Sequence, residues 1–538
     1  MLERRTFLQL SLGTAALSLL SCGQGQSPGD SWWAGELRHI LPLVSDNAFN
    51  IKLSFATAQT KAPTLLLDGR PHTGQQQDSE GRFFAFRIGG LSADTRYQLQ
   101  LVDERGRALC DVWPLATFPA ANASPQRLSI AAYTCAGGPD WPTFGMTHGF
   151  KPAAYRRRLY DIILEQQPDL VVANGDHIYW DYRSWSDNPN GTLARWAMAA
   201  VINSYGQFDE HLPVLGTDNE QTLITIGDDQ IASSYGVRFR STPVLFVTDD
   251  HDYFDNDDAS PERVTFPPDA FHQDLRNTLQ RLYFPEFIAD GSLPAAVPGQ
   301  MQVDGVQLST HYGAVRYGDL FAGLLYDCGG MMDLHGASAG LIPPAVEHWL
   351  LTQTAVEDSR HLIHMPSHPM GWTAGKWREW YPDLLESTGS LVAGIETDAS
   401  GEKYLWQKGW WHQHQRLLQG ISAQKLRRPL MVSGDLHLLG AGSITRSGDL
   451  DLSANPVYTV LSGPGGVGDL GWLSSARGLS ARVPAEMTVE QLLTPVERNG
   501  YTRITLTQDS CNIALYAAQS PSPQASLLEL EVVKQFSI

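Results

Sequence analysis

Four short clusters, widely separated along the chain, carry the side chains that could do chemistry. They are Thr134-Cys135-Ala136-Gly137, Gly175-Asp176-His177-Ile178-Tyr179, Asp249-Asp250-His251-Asp252 and Gly434-Asp435-Leu436-His437. Thiol, carboxylate, phenol and imidazole are all groups that ligate cations. Singly, each cluster also has a plainer meaning. Gly-Asp after a strand makes a turn, and a lone Cys135 would be a small buried apolar residue. Tyr179 would be a core or rim aromatic, and the six aspartates within positions 249–258 would be a solvated acidic loop. Their order and joint composition instead point to a metal cluster.

Side chains so far apart need a scaffold that brings them to one place. Each cluster follows an apolar run, at 128–133, 169–173, 244–247 and 430–433. Buried strands that each finish in a polar group are what α/β sheets show, with ligands gathering beyond the strand ends. Residues 153–167 read as a helix with Tyr155, Leu159, Ile162 and Ile163 on one face. The step from Asp176 to Asp250 is longer than one crossover needs, so an insertion is expected there. The glycine-rich 463–471 stretch lacks a following Gly-Lys-Ser/Thr and reads as a loop rather than a nucleotide cradle. Upstream, Ile51, Leu53 and Phe55 alternate with polar residues, as do Leu99 and Leu101, so 32–119 reads as a small β-sandwich. The small, polar stretch 120–125, closed by Pro125, is a linker.

The four clusters resemble the blocks of the metallophosphoesterases, and specifically those of the alkaline phosphatase D (PhoD) family. The family markers are Cys135 in place of an aspartate, Tyr179 three residues after Asp176, Asp-Asp-His in place of Gly-Asn-His, and Gly-Asp-x-His in the last block. Gly409-Trp410-Trp411 followed by Arg416-Leu417-Leu418 is similar to the family's helix before that block. The segment Gly89-Gly90-Leu91-Ser92-Ala93-Asp94-Thr95-Arg96-Tyr97 resembles the turn-and-tyrosine segment of fibronectin type III domains. The resemblance implies an α/β metallophosphoesterase (calcineurin-like) sandwich over 126–538, preceded by a small all-β fibronectin type III-like domain over 32–119. It also implies an alkaline phosphatase or phosphodiesterase. Hydrolysing a phosphate ester needs positive charge on the phosphoryl oxygens and a hydroxide at neutral pH, which two adjacent metals can supply. On this reading Asp176 bridges two ions, Cys135 and Tyr179 favour Fe3+, and His437 completes that ion's shell. Asp250 and Asp435 offer hard oxygen to a second ion such as Ca2+, other divalent metals being possible. His251, beside a ligand, is expected to donate a proton to the leaving alkoxide.

Other positions are candidates of a second order. His364-Met365-Pro366 resembles the His-x-Pro strand end of purple acid phosphatases, with Ser367-His368-Pro369 just behind it, so one of His364 and His368 is expected near metal or substrate. His412 and His414 alternate on a helix and are read as surface histidines. Tyr326-Asp327-Cys328-Gly329-Gly330 stands where the family carries an Asp-x-Arg run; the arginine is missing, and with it the expected substrate contact from that strand.

The first residues set the compartment. Glu3-Arg4-Arg5-Thr6-Phe7-Leu8 is a twin-arginine signature followed by an apolar run to Leu20, too short to span a bilayer as a permanent anchor. Leu19-Leu20-Ser21-Cys22 resembles a lipoprotein box, giving a signal peptide over 1–21, lipidation at Cys22 and a tether over 22–31. The alternative is a signal peptide cut nearby with no lipid. The expected location is periplasmic or at the cell surface, with the twin-arginine export machinery and a bacterial membrane as partners. Of five cysteines, the four after Cys22 show no CxxC or finger spacing, leaving one or two disulfides open. A formal charge of −19 argues against a nucleic-acid partner. The family resemblance implies a small-molecule or polymeric phosphate ester as the substrate. The competing reading is a non-catalytic extracytoplasmic binding protein on a degenerate phosphatase domain, which loss of the ligands would mark.

Overall fold

The structure is a computed structural model that describes residues 31–139, 149–180, 205–256, 263–334, 339–374, 408–476, 480–519 and 528–538. The leader, Cys22 and nearly all of the tether lie outside the described residues, as does 181–204 of the first insertion. Among described residues, no helix is long and apolar enough to cross a membrane.

Two four-stranded sheets come first. One runs in the order Leu37–Val44, Phe49–Phe55, Phe83–Ile88, Gln75–Gln76, the other Arg70–Thr73, Thr64–Leu67, Arg96–Val102, Trp113–Ala116. Ile40, Ile51, Leu53, Leu65, Leu99, Leu101 and Trp113 fill the space between them, as period-two alternation dictates. The Tyr97 hydroxyl accepts the Ser92 backbone N–H at 2.8 Å, a tyrosine-corner bond across the turn. A buried polar joint fastens this unit to the larger body of the protein. Lys52, fully buried, donates to Glu286 Oε1 at 2.8 Å and to the Arg281 carbonyl at 2.8 Å, while Asn50 Nδ2 donates to the Glu286 carbonyl at 2.8 Å. Removing Glu286 would strand the Lys52 charge in the interior, at a cost of about 3–5 kcal/mol.

The larger body is a pair of sheets packed face to face with helices outside. The six-stranded sheet runs Val244–Val247, Leu170–Asn174, Arg127–Tyr133, Gly500–Thr507, Cys511–Ala518, Leu530–Ser537. The eight-stranded sheet includes, in order, Tyr312–Tyr317, Phe321–Tyr326, His361–Pro366, Leu430–Ser433, Val457–Ser462 and Leu439–Ser447. Alternate residues of the first sheet, Ile130, Ala132, Leu170, Val172, Leu245 and Val247, meet Ile363, Met365, Leu430, Val432 and Val460 of the second. The other faces, Ala131, Tyr133, Val171, Ala173, Val244 and Phe246, pack on helices Ala153–Glu165 and Ala270–Leu282. Both faces are buried, so these strands read as continuous apolar runs rather than as alternation. On the far side, helices Pro344–Ala355 and Lys408–Ser422 set Trp349, Leu350, Leu417, Leu418 and Ile421 against Leu324, Leu362 and Met431.

Candidate metal centre

Register aligns the chemistry. Tyr133 lies opposite Ala173 and Asn174 opposite Val247, so three parallel strands end at one level. In the second sheet Tyr326 is opposite Pro366, and Ser433 opposite Leu461. Asn174 Nδ2 donates to the Pro366 carbonyl at 2.9 Å and the Val432 carbonyl at 3.3 Å, stitching the two sheets at this edge. The loops beyond bend sharply. Eight described non-glycine residues have positive φ, and four are here: Cys135 at 47°, Asp176 at 59°, Asp435 at 70° and His437 at 53°. Such backbone is costly for a residue with a Cβ, and it persists where surrounding structure enforces it. That concentration singles out the strand-end loops as the candidate functional edge.

One side of the centre combines thiol, phenol and imidazole. The Cys135 thiol donates to Asp176 Oδ2 at 3.2 Å, and the Tyr179 hydroxyl donates to the same oxygen at 3.1 Å. Tyr179 Oη also lies 3.1 Å from His437 Nε2. His437 Nδ1 donates to the Gly471 carbonyl at 2.7 Å, which fixes the tautomer and leaves the Nε2 lone pair facing the cluster. Burial holds this imidazole below its ordinary pKa, so it stays neutral and able to ligate. Ligating atoms of Cys135, Asp176 and His437 lie within 4.8 Å of one another.

The other side is acidic. Asp176, Asp249 and Asp250 form a second group within the same 4.8 Å limit, and Asp250, His251 and Asp255 a third. Asp176 belongs to the first two groups, so its carboxylate lies beside the donors of both. The His368 Nδ1–H donates to Asp249 Oδ1 at 3.0 Å, and its Nε2 lies 3.9 Å from Asp435 Oδ2. His251 is half-buried, its ring centroid 4.4 Å from that of Tyr179. A cavity of about 60 Å3 opens between these groups, walled by Trp372, Trp410 and Leu473 on one side and by Asp250, His251, His368 and Asp435 on the other.

So much buried acid is unstable unless something neutralises it. Burial raises the Asp176 carboxyl well above the carboxylate range, Asp250 and Asp249 adding to the rise against the pull of His251. Burial also pushes Asp249 up to about 7 against the pull of His368, and raises the Cys135 thiol well above its usual value. Burial alone would lower His368, yet Asp249 and Asp435 outweigh it and raise it to about 10. Asp176 Oδ1 and Asp249 Oδ2 are buried with no hydrogen-bond partner. A buried carboxylate oxygen without a donor costs free energy, and a cation between them removes that cost. The donor set therefore fits metal ions: thiolate, phenolate and imidazole on one side, carboxylates on the other.

The structure brings Cys135, Asp176, Tyr179, Asp250, His251, Asp435, His437 and His368 to this edge. His364 is not among them. Leu362 and His364 point to the helix face, while Ile363 and Met365 point into the sandwich. His364 Nε2 lies 3.0 Å from Thr354 Oγ1 of helix Pro344–Ala355, and burial lowers its pKa to about 3. Strand alternation, not the local motif, decides that. His414 is buried rather than superficial, because it shares a helix face with Trp410, Leu417, Leu418 and Ile421; His412 is exposed. Cys110, Cys135, Cys328 and Cys511 are all free thiols. Asp327 is buried, accepting from Thr248 Oγ1 at 2.6 Å and from the Tyr253 hydroxyl, with Arg276 3.7 Å away. It anchors the loop behind the centre. Sequence reasoning missed the roles of Asp249 and Asp255; their only signal was the density of aspartates in 249–258.

Neither a known family's sequence profile nor a curated protein sequence matches the chain. Solved structures do. The chain is similar to a structure of PhoD, with a TM-score of 0.60 and 11% identity, over 95% of this chain and 91% of that one. It is also similar to a purple acid phosphatase isolated from yellow lupin (Lupinus luteus) seeds, with a TM-score of 0.50 and 12% identity, over 93% of this chain and 73% of that one. The chain thus has the fold of the PhoD-like metallophosphoesterases, an α/β sandwich preceded by a small all-β domain.

Proposed function

We propose that this protein is a metal-dependent hydrolase of phosphate esters, of the alkaline phosphatase or phosphodiesterase type. One observation carries the reading. Donors from four separate strand ends converge on Asp176, whose Oδ1 is buried and has no protein partner. Cys135, Tyr179, Asp176 and His437 would hold one ion, and the thiolate with the phenolate favours Fe3+. Asp176, Asp250 and Asp435 would hold the other, whose hard oxygen set suits Ca2+. When bound, such ions supply positive charge to phosphoryl oxygens and acidify a water.

The chain's own side chains do the rest. Gly471 holds His437 in the ligating tautomer, and Tyr179 sits between Asp176 and His437. Trp372 and Trp410 wall the cavity against bulk water, while His251 reaches into it from the acidic turn. A proton on His251 would go to the leaving oxygen of the substrate. The test is hydrolysis of a paired aryl phosphate monoester and diester, before and after chelation. Turnover of at least one, lost on chelation and regained with metal, is the expected result. An unchelated protein that turns over neither would leave the binding-protein reading standing. Iron on Cys135 and Tyr179 should colour the protein through ligand-to-metal charge transfer; a colourless, fully active enzyme without iron would exclude that assignment.

Export by the folded-protein route follows from Arg4-Arg5 ahead of the apolar run. Changing both to Lys should leave the precursor in the cytoplasm, as read by cell fractionation. Normal export of that double variant would refute the route. Membrane attachment that persists in Cys22→Ala would exclude the lipid anchor.

A further inference from the structure

Asp252 belongs to the acidic turn but faces neither the cavity nor the cluster's donors. It is fully buried, and each of its carboxylate oxygens is occupied by backbone N–H groups. Oδ1 accepts from His177 at 2.9 Å and from Ile178 at 3.3 Å. Oδ2 accepts from Asp176 at 3.1 Å and from Asp249 at 2.9 Å. Three of these donors lie on the loop after Leu170–Asn174 and the fourth on the turn after Val244–Val247. One carboxylate therefore joins the segment that carries Asp176 to the segment that carries Asp249 and Asp250.

We propose that Asp252 is the positioning residue of the centre, setting the distance and angle between Asp176 and the Asp249-Asp250 pair. The joint has reason to exist. Asp176 stands at a φ of 59°, which its side chain resists, and its N–H is one of the four donors Asp252 holds. The two loops also touch without spare room. A Cβ on Gly175 would stand 2.8 Å from Asp249 Cβ, and one on Gly329 would stand 2.5 Å from the Asp250 nitrogen. The turn is thus wedged between two glycines and tied to the other loop by three hydrogen bonds to one side chain, the fourth closing the turn itself. Charge matters as well as geometry. A carboxylate accepting several backbone N–H groups makes strong, charge-assisted bonds, and an amide in its place keeps only one acceptor edge.

This inference rests on the metal-centre reading. It is tested by measuring how much EDTA strips half of the bound metal from the purified full chain, with metal read by elemental analysis. Asp252→Asn and Asp252→Ala are compared with wild type and with Asp161→Asn. Asp161 is another buried carboxylate, on an outer helix, paired with Arg238 at 2.9 Å. Partners that orient metal ligands typically change metal affinity about 10- to 100-fold when lost. Asp252→Asn should therefore lose its metal at about 10- to 100-fold lower chelator, and Asp252→Ala at lower chelator still. Asp161→Asn should melt earlier yet hold its metal as wild type does. If both Asp252 variants melt earlier but resist chelation like wild type, Asp252 is merely structural and the proposal is wrong. If the wild-type chain itself carries no metal, the functional reading fails first and takes this inference with it.

Discussion

Asp176→Asn should all but remove the proposed phosphoesterase activity while leaving the metal-free protein at least as stable as wild type. Both halves follow from the same carboxylate. Asp176 is the donor common to the thiolate and acidic groups, so losing its charge weakens both cation positions together. Removing a preorganised charge of this kind from a hydrolytic centre costs on the order of a thousand-fold in turnover. Without metal the ionised side chain is a liability, because burial holds its carboxyl far above the ordinary range. An amide at that position needs no cation. Thermal melts in chelator and in metal separate the effects. Wild type should gain about 2.7 kcal/mol at a hundred-fold excess of metal over Kd, and the variant little. In the metal-free wild type the contribution of Asp249 to stability should also vary with pH in one direction. Asp249 is raised from 3.8 to about 7, so the stability it contributes is full below pH 4. That stability is lost as pH rises through 7. Bound metal should flatten this slope by taking the place of the protons. A variant that keeps its metal and its turnover would remove Asp176 from the centre.

The second large effect belongs to His251. His251→Ala should lower turnover by about a hundred- to ten-thousand-fold on alkyl phosphates, the usual worth of a positioned general acid. Aryl phosphates, whose leaving groups need little protonation, should suffer less. The geometry makes the test demanding, since one His251 ring nitrogen lies within 4.8 Å of carboxylate oxygens of Asp250 and Asp255. A ligand at that position would behave differently, its loss releasing metal and slowing both substrate classes alike. Parallel elemental analysis and kinetics on an alkyl and an aryl ester distinguish the two. Equal losses on both esters would contradict the proton-donor role.

Much of the candidate centre was legible because polar side chains at strand ends leave local traces. Cys135, Asp176, Asp250, Asp435 and His437 each follow an apolar run; parallel register carries three of the runs to one edge, and the Asn174 bonds to Pro366 and Val432 hold the fourth beside them. What the sequence hid was direction. His364 sits in a motif that suggests a ligand, yet the pleat turns it to the helix face with Leu362. His368, two residues beyond the strand, escapes that alternation and reaches Asp249. Asp249 and Asp250 are neighbours with different tasks, one paired to His368 and the other facing the cavity. That difference depends on the backbone of a tight turn, which composition does not encode. The positive φ at Cys135 and His437 was equally invisible, because neither is a residue that announces it. Strands buried on both faces hid much of the second sheet, while the half-buried to exposed carboxyl-terminal strands Gly500–Thr507, Cys511–Ala518 and Leu530–Ser537 were hidden because their neighbours are set by long-range pairing.

The central claim is that the strand-end cluster is a two-ion centre organised around Asp176. Anomalous diffraction from crystals of the chain purified without chelator tests it most directly. Two peaks are expected, one among Cys135, Tyr179 and His437 and one beside Asp250 and Asp435, with Asp176 between them. A chain that hydrolyses phosphate esters and shows no anomalous peak at this edge would contradict the account.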